Sequence, residues 1–161
     1  MTQPSYTLLI DQLAEMPQFC RKALFGLPSD IMRRKAENDN LHLQGHLWHT
    51  LDCDTDLYGL RIRRILAEHR PHLEPVDVGA WPAARGYDER SGDDAITALE
   101  TERAQLIEML QSLVPEAIER VGIRLDNSEI SVLGVIQQLL DHDQEHRRRI
   151  AAILASFAKG L

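Results

Sequence analysis

The stretch ISVLGVIQQLLDHDQEHRRRI, residues 130–150, decides how the chain is read. Ser131 is an N-cap residue type standing directly ahead of an apolar pattern with the helical period. At about 100° per residue, Val132, Val135, Ile136, Leu139, Ile150, Ile153, Leu154 and Phe157 gather on one side of a helix over 131–158, with Gly160 beyond its end. His146 falls inside that apolar sector, and His142 lies at its edge, about 40° away. A ring nitrogen among aliphatic side chains needs a partner, because a buried unpaired polar group is costly. A divalent metal shared by the two rings is one such partner, since imidazole is the commonest side-chain ligand and an i, i+4 pair presents two rings from one face. The plainer alternative is a pair of solvated or core-edge histidines on an arginine-rich helix.

Working outward, the helical period dominates and little of the chain alternates like a strand. Leu8, Leu9, Leu13, Met16 and Phe19 stripe a first helix over 5–25, which Gly26-Leu27-Pro28 ends and which Pro17 kinks or splits. Ser29 caps a short turn through Arg33. A polar stretch over 35–40 leads into a second helix over 41–69, stopped by Pro71. Residues 70–92 carry three prolines and three glycines together with Trp81 and Tyr87, the composition of an ordered loop folded back on the domain. Asp93 or Asp94 caps a third helix that runs to Leu113, ahead of Pro115. A short segment over 117–121 and a brief extended connection over 122–130 lead back to the fourth helix. The predicted fold is all-α, one domain over 1–161: a four-helix bundle with a long crossover loop between helices 2 and 3.

Composition narrows the functional classes. A chain of 161 residues with 43% hydrophobic and 27% charged residues is long enough to bury a core without disulfides. The net charge of −7 disfavours nucleic acid, and the run Arg147, Arg148, Arg149 reads as a solvated face. Cys20 and Cys53 lack CxxC spacing, so neither a disulfide framework nor a zinc ribbon is indicated. The opening residues are polar, Asp11 and Glu15 interrupt the apolar residues behind them, and no apolar run is long enough to span a bilayer. The expectation is a reduced, cytoplasmic setting without membrane partners.

The second helix carries the remaining donors. Leu47, Leu51, Tyr58, Ile62 and Ile65 form its aliphatic stripe. His49 points nearly opposite, among His42, His46, Cys53, Asp56 and Leu60. Either that face is solvated, or the helix packs on both sides and the polar group lines a pocket. His42 and His46 read as surface residues; Cys53 reads as a small buried side chain, a thiolate ligand being the less common alternative, and Asp52 and Glu145 as solvated acids rather than groups that orient the imidazoles. Trp81 and Tyr87 read as packing anchors for the loop. His69 and His72 flank a helix end, where a partly charged imidazole suits the dipole.

The stretch GHLWHTLDCDTDLYGLRIRRIL resembles the second helix of the DinB-like (YfiT-like) superfamily, in which a histidine, often followed three residues on by an aspartate, precedes a segment rich in tyrosine and arginine. Those positions are His49, Asp52, Tyr58 and Arg61 here. PHLEPVDVGAWPAARGYDE is similar to the family's connection through Asp77, Trp81 and Tyr87, and the HxxxH pair of its last helix matches His142 and His146. GLPSDIMRR also fits. Two departures stand out: Asn40 and Leu41 replace the tryptophan-serine opening, and His49 to Tyr58 is one residue longer than usual, which leaves His46 as the alternative donor. The resemblance implies up-down-down-up helix order and a divalent metal, zinc or nickel, held by His49, His142 and His146. It also implies a homodimer, and an enzyme acting with water as a hydrolase or with a low-molecular-weight thiol on an electrophilic substrate as an S-transferase. The competing expectation is a catalytically silent bundle homodimer whose metal site is structural or vestigial, since a fold does not transfer a reaction.

Overall fold

The computed structural model describes residues 4–158. The first helical arm is two helices, α1 (Pro4–Leu13) and α2 (Glu15–Leu24), separated at Ala14. The expected effect of Pro17 is thus a split. The break lies upstream of the proline, which leaves it in the first turn of α2, where its missing N–H has no helical acceptor to lose. Gly26 at φ +80° turns the chain after α2, and its N–H donates to Asp93 Oδ1 at 2.9 Å. The short α3 (Ser29–Met32) follows.

The second arm is α4 (Leu43–Cys53), a π-helical turn over Asp54–Tyr58, and α5 (Gly59–Ala67). A π turn takes up one residue more than an α turn over the same rise. Residues 68–91 connect α5 to the next long helix. They include α6 (Trp81–Ala84), with Trp81 and Tyr87 buried and Gln44 Nε2 donating to the carbonyls of Tyr87 and Asp88 at 3.0 and 2.8 Å.

The third arm is α7 (Gly92–Gln111). Its cap is Ser91, not Asp93 or Asp94: Ser91 has extended backbone and its Oγ accepts from Asp94 N–H at 3.4 Å. The two aspartates fall in the first turn, where negative charge complements the helix dipole. After α8 (Pro115–Ile118), strands β1 (Val121–Ile123) and β2 (Glu129–Ser131) pair antiparallel, Gly122 opposite Ile130. The fourth arm, α9 (Val132–Ala158), is capped as expected by Ser131, whose Oγ accepts from Gly134 N–H at 3.0 Å.

The four arms bury two apolar layers. One joins Met16, Leu24, Leu47, Leu51, Ile96, Leu99, Ile150 and Ile153; the other joins Ile10, Leu13, Ile62, Ile65, Leu106, Leu110, Val135, Ile136 and Leu139. On the second, third and fourth arms buried charged residues stand between the two sets. Arg103 lies between Leu99 and Leu106, Asp54 between Leu51 and Ile62, and Asp143 and His146 between Leu139 and Ile150. Among the described residues, no helix is long and apolar enough to cross a membrane.

Candidate metal centre

In α4, residues i, i+3 and i+7 share a helix face, which places His46, His49 and Cys53 together, while Leu43, Leu47 and Leu51 occupy another. All 11 residues of α4 are buried. The helix therefore packs on both sides, and the polar face meets α9 rather than solvent. There, His49 Nε2 lies 3.1 Å from His142 Nε2. The ring of His146 stands 4.3 Å from that of His142 and 4.7 Å from that of His49, centroid to centroid. Tyr58, brought round by the π turn, places its ring 5.3 Å from His142.

Cys53 Sγ lies 3.5 Å from His49 Nε2, and one donor atom from each of His49, Cys53 and His142 falls within 4.8 Å of the others. His142 Nδ1 is buried without a hydrogen-bond partner in the protein. Clustered imidazoles and a thiol form a donor set suited to a borderline-soft divalent cation. Burial keeps the rings uncharged and their lone pairs available. It is the leading cause that lowers His49 to about 4 and His142 to about 3, with neighbouring cationic groups adding to the effect, and it lowers His146 further.

His46 is not a surface residue: it is fully buried, and both ring nitrogens are engaged behind His146. Its Nε2 lies 2.7 Å from Asp39 Oδ2 and its Nδ1 lies 2.8 Å from His146 Nδ1. Asp39 is ionised. Burial would raise its pKa, but hydrogen bonds from Arg149 and from the Leu41 N–H, with His46 adding, bring it to about 2. A carboxylate only accepts, so His46 donates through Nε2–H and its Nδ1 is left as an acceptor. His146 must then donate through Nδ1–H, which leaves the Nε2 lone pair free. A carboxylate–imidazole pair that fixes a ligand's tautomer in this way is the usual support behind a metal-binding histidine. His46 thus belongs behind His146 in this arrangement.

Asp52 is also buried rather than solvated. It accepts from Tyr87 Oη at 2.7 Å and pairs with Arg85 at 3.0 Å, which ties the loop to α4. Glu145 is exposed and pairs with Arg148, as expected of a solvated acid. Arg147 pairs with Glu15, while Arg149 departs from the solvated face to hold Asp39.

Sequence reasoning missed the ion cluster beneath the histidines. Arg103 of α7 is fully buried, and all five of its N–H bonds are used. Nε donates to Asp54 Oδ2 at 2.8 Å; Nη1 to Leu13 O and Asp143 Oδ2, both at 2.7 Å; Nη2 to Asp54 Oδ1 and Asp143 Oδ1, both at 3.0 Å. One guanidinium therefore joins the four arms and fixes the residue next to His142 against the residue next to Cys53. Its signal was present: Arg103 occupies the helical spacing of Ile96, Leu99, Leu106 and Leu110, where an aliphatic residue is the rule.

The sequence matches the DinB superfamily over residues 12–150. The fold is similar to that of YfiT from Bacillus subtilis, a probable metal-dependent hydrolase with an unusual four-helix bundle topology. The TM-score is 0.89, with 98% of this chain and 90% of that chain covered and 16% of residues identical. No curated protein matches the chain.

Proposed function

Because the chain belongs to the DinB superfamily, we propose that its histidine cluster is the centre of a metal-dependent hydrolase. In this reading His49, His142 and His146 hold one divalent ion of the zinc or nickel type. The observation that carries the reading is the meeting of two side chains 93 residues apart, with Nε2 of His49 3.1 Å from Nε2 of His142 and the ring of His146 beside both. The description of YfiT as a probable metal-dependent hydrolase supports the same sense. An ion held by these residues would supply Lewis acidity, to water or to a substrate oxygen, near neutral pH.

The chain's own residues prepare the site for that role. Burial holds the rings neutral, so no proton has to be lost before their lone pairs can be used. Asp39, fixed by Arg149, sets the tautomer of His46 and through it that of His146. Arg103 locks α4 to α9, which keeps His49 and His142 in register. Tyr58 packs against His142. With a low-molecular-weight thiol in place of water the same arrangement would act as an S-transferase. The homodimer belongs to the same proposal, to be read by light scattering.

The test is elemental analysis of protein purified without a histidine tag or added metal. It is followed by a screen of ester, amide and phosphate substrates, with and without added thiol. About one metal per chain and a hydrolytic turnover, both lost in His142→Ala, support the proposal. Turnover only with thiol present replaces hydrolase by transferase. A metal-free protein unaffected by His142→Ala overturns it and leaves a helical frame without a reactive centre.

A further inference from the structure

We propose that Cys53 is a protein donor to this centre beside His49 and His142. The inference rests on the metal-centre reading above and changes what that centre is. Cys53 is one helical turn beyond His49 on the same face of α4 and is 1% exposed. In a tetrahedral zinc site with Zn–N about 2.0–2.1 Å and Zn–S about 2.3 Å, neighbouring donors stand about 3.3 Å apart for two nitrogens and about 3.6 Å for nitrogen and sulfur. The protein sets His49 Nε2 and His142 Nε2 3.1 Å apart, and His49 Nε2 and Cys53 Sγ 3.5 Å apart. Two edges of the donor polyhedron are thus in place. The π turn starts at the very next residue, Asp54, a distortion of the kind that gathers at functional sites.

Cys20 supplies the contrast. It is equally buried, but it sits in the apolar layer with Met16 and Leu24, the ordinary fate of a free cysteine. When a cation binds, the Cys53 S–H bond breaks, the proton leaves to solvent and a sulfur lone pair forms the new bond; no oxidant or reductant is needed. A thiolate donor favours zinc or cobalt over magnesium or manganese.

Cobalt(II) titration of the metal-free protein tests this. The expected result is one cobalt per chain with an intense sulfur-to-cobalt charge-transfer band in the near ultraviolet. That band is lost in Cys53→Ser and kept in Cys20→Ser, while Cys53→Ser still binds one cobalt. One cobalt bound without the band overturns the inference and leaves the three-histidine reading standing. A band that survives in Cys53→Ser also overturns it. Failure of the wild-type protein to bind cobalt or zinc at all overturns both. X-ray absorption on zinc-loaded wild-type protein gives the answer independently of any variant: one sulfur at about 2.3 Å is expected, and a shell of nitrogen and oxygen alone contradicts it.

Discussion

Replacing Arg103 by methionine is the sharpest perturbation the fold offers. Methionine has comparable length and no donors, so it keeps most of the packing and removes five hydrogen bonds at once. What remains is two carboxylates, Asp54 at 0% and Asp143 at 4% exposure, facing each other without a cation. Breaking a buried ion pair from one side costs about 3–5 kcal/mol. Against a total stability of about 5–15 kcal/mol this is a large fraction. In a domain of this size it lowers Tm by about 6–20 °C, at about 2–4 °C per kcal/mol. Arg103→Lys recovers only part of the loss, since an ammonium offers three donors where five acceptors wait.

The pH dependence of that loss has a definite sign. Burial already raises Asp143 to about 6 against the pull of Arg103, and it raises Asp54 as well. Without Arg103 both move higher. A carboxyl whose folded pKa exceeds its unfolded value of about 3.9 stabilises the fold below that value and loses the contribution as pH rises through the folded one. The deficit of Arg103→Met relative to wild type is therefore larger at pH 8 than at pH 5. Urea unfolding of the metal-free proteins at the two pH values measures it. A loss below about 1 kcal/mol at pH 8, or a deficit that grows on acidification, would refute a buried ionic tie.

Two further changes probe the frame around the histidines. Asp39→Asn exchanges an obligate acceptor for a side chain that also donates, which releases the tautomer of His46 and so of His146. Zinc affinity should fall about 10–100-fold with little change in the far-ultraviolet circular dichroism spectrum, and unchanged affinity would show that the relay does not reach the metal site. Gly59→Ala should destabilise the protein although alanine is the better helix former by about 1 kcal/mol. Gly59 N–H closes the π turn on Asp54 O, and an added Cβ would stand 2.2 Å from that same oxygen. Chemical denaturation showing a more stable variant would contradict the role of the turn.

The fourth helix was legible because its apolar residues lie on one stripe and its cap, Ser131, stands at the expected place. The first arm was legible because Pro17 acts through backbone covalent geometry, which needs no tertiary context. The second arm was harder for two physical reasons. A helix buried on all sides has no solvent face, so the wheel that set His49 opposite Leu47 and Leu51 suggested exposure where there is a second interface. The π turn then changes the angular relation between His49 and everything after Cys53, which a constant 100° step cannot represent. His46 and Asp52 read as solvated because burial of a polar side chain depends on tertiary partners that a helix wheel does not show, His146 in one case and Tyr87 in the other.

In the proposed centre the side chains of α4 and α9 share one cation. Equilibrium titration of metal-free protein with zinc, in competition with a chromophoric chelator, tests that most directly. One site per chain is expected, weakened at least about a hundredfold by His49→Ala and likewise by His142→Ala. Zinc binding that is absent, or equally tight after His49→Ala, would contradict it.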